Sequence, residues 1–169
     1  MNKEKIMIKS LETLENLMQK FDNKNDKIFG NFTGVNNRYE AVEDYNGNFL
    51  FGLIYYYTGI KPKFIIENNE IFLGFDKEII CFSCEKKEVY RVIKLSSLFY
   101  DLFNIKGKKL ILIICELDIY VINNGGLIVW EMGFKDLIVD FEILKNEKLK
   151  IITFDGDETI FLLENGKVL

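Results

Sequence analysis

The sequence predicts a mainly β protein, an antiparallel meander of hairpins preceded by one N-terminal helix, and three observations carry that expectation. From residue 28 onward, Val, Ile, Phe and Tyr recur with the spacing of strands. Asn-Gly and Asp-Gly pairs punctuate the run at Asn46-Gly47, Asp155-Gly156 and Asn165-Gly166, and such pairs supply the positive φ values of tight hairpin turns. A pattern of Phe-x-Ile, polar turn and apolar-x-apolar returns at a period of about 40 residues.

The first segment follows a different period. Met7, Leu11, Leu14, Met18 and Phe21 are spaced by four and three, which places them on one helical stripe and predicts a helix docked on a sheet. The alternative is a partner-binding helix or coiled-coil seam, for which about two to three heptads are short. Residues 22–27 carry no apolar side chain and read as a loop. The expected organisation is therefore a helix and loop over 1–27 and a single β domain over 28–169.

The repeat has copies near 64–102, 103–140 and 141–169. Phe64-Ile65-Ile66 leads to Ile71-Phe72-Leu73, Phe103-Asn104-Ile105 to Leu110-Ile111-Leu112, and Phe141-Glu142-Ile143 to Leu149-Lys150-Ile151. Phe64, Phe103 and Phe141 are expected at equivalent strand positions with buried rings. Each copy then reaches an acidic turn, with Asp76 and Glu78, Glu116 and Asp118, or Asp155 and Asp157, before a second apolar strand. A third strand follows in two copies, whereas the third copy stops at Val168-Leu169. A unit of this size with three or four antiparallel strands matches a propeller blade. The stretch 119–131, a strand, a Gly turn and a strand bearing Trp130, resembles the blades of quinoprotein-like β-propellers, and residues 162–169 resemble the same turn without its tryptophan. The resemblance implies propeller-blade-like hairpin repeats. Two and a half copies fall short of a ring, so an open sheet or a sandwich is expected. That family's cofactor residues have no counterparts here, and no cofactor is expected.

Composition narrows the chemistry. The chain has 169 residues, 22 basic and 26 acidic side chains, no histidine and a net charge of −4. Without histidine, Ser–His–Asp, Cys–His and HExxH sites are excluded, and the commonest transition-metal ligand is missing. Arginine occurs only at Arg38 and Arg91, which argues against nucleic acid as a partner. The N-terminus lacks the apolar stretch of a signal peptide, and the longest aliphatic run, 110–115, is too short to cross a bilayer. Together with three cysteines, these features predict a cytoplasmic protein with no membrane partner.

Few residues stand out as chemical candidates. Cys81-Phe82-Ser83-Cys84 matches CxxC, but it closes a strand, where residues three apart face opposite ways. Tyr55-Tyr56-Tyr57 suits either a ligand site or plain sheet packing, and Trp130 reads as a core anchor. Asp155-Gly156-Asp157-Glu158 lacks EF-hand spacing, and no metal is expected. The acidic turns are the strongest candidates. Hairpin tips of successive units emerge on one rim, so Asp76, Glu78, Glu116, Asp118, Asp155 and Asp157 form an acidic row suited to docking a basic protein. The competing explanation is ordinary turn chemistry, in which Asp serves the backbone. The expected function is a non-enzymatic protein-binding module. In general character the chain resembles bacterial toxin-neutralising immunity proteins, which implies a toxin as partner. The alternative is a small ligand-binding protein or a carboxylate-based enzyme with a cleft. An open sheet edge at 159–163 further predicts a homodimer.

Overall fold

The computed structural model describes residues 6–21, 27–32, 34–145 and 147–169. Four small sheets occupy this range. The first contains β1 (Met7–Leu11), β2 (Ile28–Gly30), β3 (Asn37–Glu43) and β4 (Phe49–Tyr56) in the order β1-β3-β4-β2, with α1 (Leu14–Met18) between β1 and β2. The second is a plain meander of β5 (Lys63–Glu67), β6 (Glu70–Phe75), β7 (Glu78–Ser83) and β8 (Glu88–Lys94). The third repeats it with β9 (Phe99–Ile105), β10 (Leu110–Cys115), β11 (Asp118–Asn123) and β12 (Ile128–Gly133). The fourth has β13 (Ile138–Leu144), β14 (Lys148–Thr153) and β15 (Glu158–Leu162), and a single bridge joins Phe161 to Val168.

The sheets stack face to face in a row. Phe51, Leu53 and Tyr55 of the first meet Ile71, Leu73 and Phe75 of the second. Phe72, Ile79 and Cys81 meet Ile111, Ile113 and Tyr120 of the third. Leu112, Ile114 and Val121 meet Leu149, Ile151 and Phe161 of the fourth. Strands buried on both faces are apolar throughout, which accounts for the unbroken run Leu110–Cys115. β14 is covered on one face, and its sequence alternates Lys148, Leu149, Lys150, Ile151 accordingly.

Two expectations need correction. The helix expected over Met7–Phe21 is a strand followed by five helical residues. β1 pairs with β3 from Met7↔Glu43 to Leu11↔Tyr39, and that pairing satisfies its backbone. Thr13 then caps α1, its side-chain oxygen accepting from the Asn16 N–H at 3.1 Å. The helix does dock on a sheet. Its fully buried side chain is Leu17, outside the stripe, whereas Met7 and Met18 are exposed. A helix this short has little stability alone. Leu17 holds it against Ala41 and Ile54, and a Cβ on Gly52 would stand 3.0 Å from both Leu17 methyl groups.

The three phenylalanines are not equivalent. Phe64 pairs with Leu73 and Phe141 with Ile151, but the matching partner in the third sheet, Ile113, pairs with Leu102. Phe103 lies one residue on, faces the fourth sheet, and meets Phe141 with ring centroids 5.1 Å apart. Nor are the rings fully buried: Phe64 is 37% exposed, and Phe103 and Phe141 are half-buried. The repeat itself is real, and its register is set elsewhere. Bulges recur at Cys81/Phe82 and Val121/Ile122, and the turn glycines Gly126 and Gly166 both have positive φ and press on the preceding sheet. Gly126 abuts Cys81 and Arg91, and Gly166 abuts the Trp130 ring, so a Cβ at either position would clash.

Candidate functional site

The acidic turns occupy equivalent positions in successive sheets, and repeated backbone bonds fix that equivalence. The Asp76 carbonyl accepts from Phe99 N–H at 2.7 Å, and the Glu116 carbonyl accepts from Ile138 N–H at 2.9 Å. Beside them, Lys77 O accepts from Leu95 N–H and Leu117 O from Phe134 N–H, at 2.9 and 2.8 Å. The first two acidic turns therefore also clasp the linker to the next sheet. In the fourth sheet the Phe154 N–H donates to Leu137 O at 2.8 Å, as the Glu116 N–H does to Leu98 O at 2.7 Å. Asp76, Glu116 and Phe154 thus share one position. Strand register makes Glu78, Asp118 and Asp157 share another.

The six carboxylates differ in what they offer. Asp76 is half-buried, and burial pushes its carboxyl above the ordinary range. Glu78 is buried and ion-paired with Lys94, so it lies beneath the rim surface. Glu116 and Asp118 are half-buried, and Asp118 Oδ2 is buried without a hydrogen bond. Asp155 and Asp157 are exposed. Thr153 Oγ1 donates to Asp155 Oδ1 at 2.6 Å and the Asp157 N–H donates to it at 3.3 Å, holding the Asp155 carboxyl below the usual range.

Sequence reading missed Phe154, which is 73% exposed in a position that is acidic in the other two turns. Aligning the turns residue by residue would have shown it. It also missed a groove of about 260 Å³ beside this turn, lined by Met132, Phe134, Asp136, Asp155, Asp157 and Phe161 among others.

The remaining candidates are structural. Cys81 faces the third sheet and Cys84 packs toward the first. Burial pushes the Cys81 thiol up to about 12. Tyr55 is buried and donates to Glu40 Oε1 at 3.1 Å, Tyr56 is exposed, and the Arg38 guanidinium lies 4.5 Å above the Tyr57 ring. They do not converge. Trp130 stacks on Phe161, and its Nε1–H donates to Leu163 O at 2.8 Å, which ties the third sheet to the fourth.

This architecture is similar to that of known propellers. The β-propeller domain of Cps50 (Swd1) from Myceliophteria thermophila superposes with a TM-score of 0.51 at 13% identity, over 65% of this chain and 36% of that one. Sqt1 of Saccharomyces cerevisiae gives 0.54 at 12% identity, over 81% and 44%. Dihydro-heme d1 dehydrogenase NirN, in complex with DHE, gives 0.54 at 9% identity, over 79% and 34%. The fold is β-propeller-like. The chain spans between a third and a half of the length of these neighbours. No family model matches the sequence, and no curated protein matches it.

Proposed function

We propose that the protein is a non-enzymatic, cytoplasmic binding module that engages a basic protein through its acidic rim. The observation that supports this reading is that Asp76, Glu116, Asp118, Asp155 and Asp157 lie in equivalent turns of successive sheets of a net-negative chain. Carboxylates aligned this way steer a basic partner during encounter. Exposed Phe154 adds an apolar anchor among them, the kind of residue that dominates interface energetics. A basic toxin is one partner of that chemistry, and charge complementarity is the support for it. The likeness to quinoprotein blades enters as architecture. Three cysteines, an odd number, suit a reducing compartment.

The test is a capture experiment with two baits, the native chain and an Asp118→Lys/Asp157→Lys variant. The expected result is a partner retained by the native bait alone and associating more slowly as salt rises, with Asp157→Lys alone, at an exposed position, weakening capture at nearly unchanged melting. Equal capture by both baits, with a flat salt response, overturns the acidic rim. The ligand-binding or carboxylate-enzyme alternative draws on the groove beside Phe154, and it requires binding of a small molecule that Phe134→Ala weakens.

A further inference from the structure

At the end of the second sheet away from Asp76, the turn between β7 and β8 carries Lys86 and Lys87. Beside it lies a cavity of about 270 Å³ between the first and second sheets. Phe29 and Leu50 of the first sheet and Phe82 and Val89 of the second give it apolar walls, and Lys27, Lys86 and Lys87 stand exposed at its mouth. Phe51 also lines it, meeting Phe29 edge-on with ring centroids 5.8 Å apart and Phe82 at 5.5 Å. A smaller recess of about 70 Å³ shares Leu50, Phe82 and Lys87 with this cavity and adds Ile71 and Cys84.

Folding does not account for these lysines. Among the described residues none of the three is in an ion pair, whereas Lys94, Lys108 and Lys150 each are. Lys87 has a φ of 54°, backbone that favours Gly or Asn, so the turn itself does not call for lysine. The carboxylates nearby are Asp44 and Glu88. Asp44 Oδ1 accepts from the Asn46 and Asn48 N–H groups at 2.8 and 2.9 Å and Oδ2 from Asn48 Nδ2 at 2.8 Å, so both its oxygens are engaged. Three ammonium groups against two carboxylates leave one positive charge here, on a chain whose net charge is −4. We propose that this cavity binds a small organic monocarboxylate, with its carboxylate among Lys27, Lys86 and Lys87 and its hydrocarbon body against Phe29, Leu50 and Phe82. The volume lies near the lower bound, about 300 Å³, of small-molecule sites. A phosphate fits less well, because neither Arg38 nor Arg91 lines the cavity and lysine recognises charge rather than shape. The site goes beyond the acidic-turn reading and is independent of it.

The probe is octanoate, titrated into the full chain at low salt and followed by calorimetry and amide chemical shifts, with octanol and acetate as controls. Saturable binding of octanoate is expected, with the shifts centred on Leu50, Phe82 and Val89. Octanol lacks the charge and acetate lacks the body, so each should bind roughly fivefold more weakly or worse. Lys86→Glu/Lys87→Glu should weaken octanoate by a similar factor at nearly unchanged melting, because both side chains are exposed. If that variant does not fold, Lys27→Glu carries the same test, with a loss of roughly twofold. No saturation, shifts centred elsewhere, octanol or acetate binding as well as octanoate, or indifference to the lysine reversals overturns the proposal. A capped Asp-Leu-Asp peptide that binds more tightly than octanoate also overturns it, in favour of an acidic protein segment. Capture of a basic partner is scored on separate variants, so either reading can fail alone.

Discussion

The first sheet hides its outer face beneath α1, where Leu17 is fully buried against Ala41 and Ile54. The fourth sheet leaves Leu144, Ile152, Ile160 and Leu162 half-buried on its outer face, interspersed with Lys148 and with the Lys150–Glu158 pair at 2.7 Å. Both are the outermost sheets among the described residues, and each has a face with no further described sheet against it. One is covered by an apolar plug. The other is kept hydrated by charges threaded through its apolar residues, and the long lysine stems cover part of that surface. One outer face is thus covered and the other alternates, and the two arrangements predict different sensitivities to mutation.

The largest effect should come from the inner face of the uncapped sheet. Phe161 is buried, stacks on Trp130 and meets Phe134 edge-on, so Phe161→Ala should cost about 3–5 kcal/mol, read by urea unfolding. If that variant melts like the native chain, the fourth sheet contributes nothing to the core. At the capped end, Leu17→Ala should cost about 3 kcal/mol and speed amide exchange across β1 and α1 before the other sheets respond. Uniform loss of protection would mean that the cap is part of the same cooperative unit as the meander.

The capped sheet also carries two buried glutamates of opposite sign. Burial opposes ionisation of Glu43, but hydrogen bonds from Lys9 and Lys20 outweigh it and hold its carboxyl below the ordinary value of 4.5. Its stabilisation is present above that value and is lost as pH falls through the lower folded value. Glu40 faces the second sheet. Burial raises its carboxyl despite hydrogen bonds from Tyr55 and Ser10, and its Oε2 has no partner. Its contribution is complete below 4.5 and is lost as pH rises through the higher folded value. Glu43→Gln should therefore cost about 1–3 kcal/mol at pH 7 and flatten the acid limb of a melting profile. Glu40→Gln should raise the melting temperature at pH 7 more than at pH 4. The same sign for both substitutions would refute this assignment.

The smallest effect belongs to the open face. Lys150→Met should change stability by less than about 0.5 kcal/mol while promoting self-association seen by light scattering, because it removes a charge from an uncovered apolar surface. A monomeric variant would show that the lysines there are not what keeps the face apart from other copies.

Much of this comparison was legible in the chain. The continuous apolar run at Leu110–Cys115 and the alternating Lys-Leu-Lys-Ile at 148–151 already distinguish a strand covered on both faces from one covered on a single face. The recurrence of a polar turn in each copy of the repeat was also legible. Three positions were not. Phe103 fits the Phe-x-Ile pattern, yet register places Leu102 beside Phe64 and Phe141, because pairing is fixed by bulges and turns rather than by resemblance. Glu78 reads like its neighbours, but Lys94 across the strand draws it under the surface. Leu17 lies off the helical stripe, and its methyl groups pack closely over Gly52, where a Cβ would stand 3.0 Å from them.

The sequence by itself determined the class of structure, the period of the repeat, the positions of most turns and the absence of imidazole chemistry. Those follow from side-chain alternation, turn chemistry and composition, which act within a few residues of one another. Tertiary structure decided that residues 7–11 form a strand and that Phe134 and Phe161 line a groove together with Asp155 and Asp157. These outcomes depend on contacts between residues far apart in the chain. β3 supplies the hydrogen bonds that turn a helical spacing into a strand, and β12 supplies the wall that turns an acidic hairpin tip into a groove.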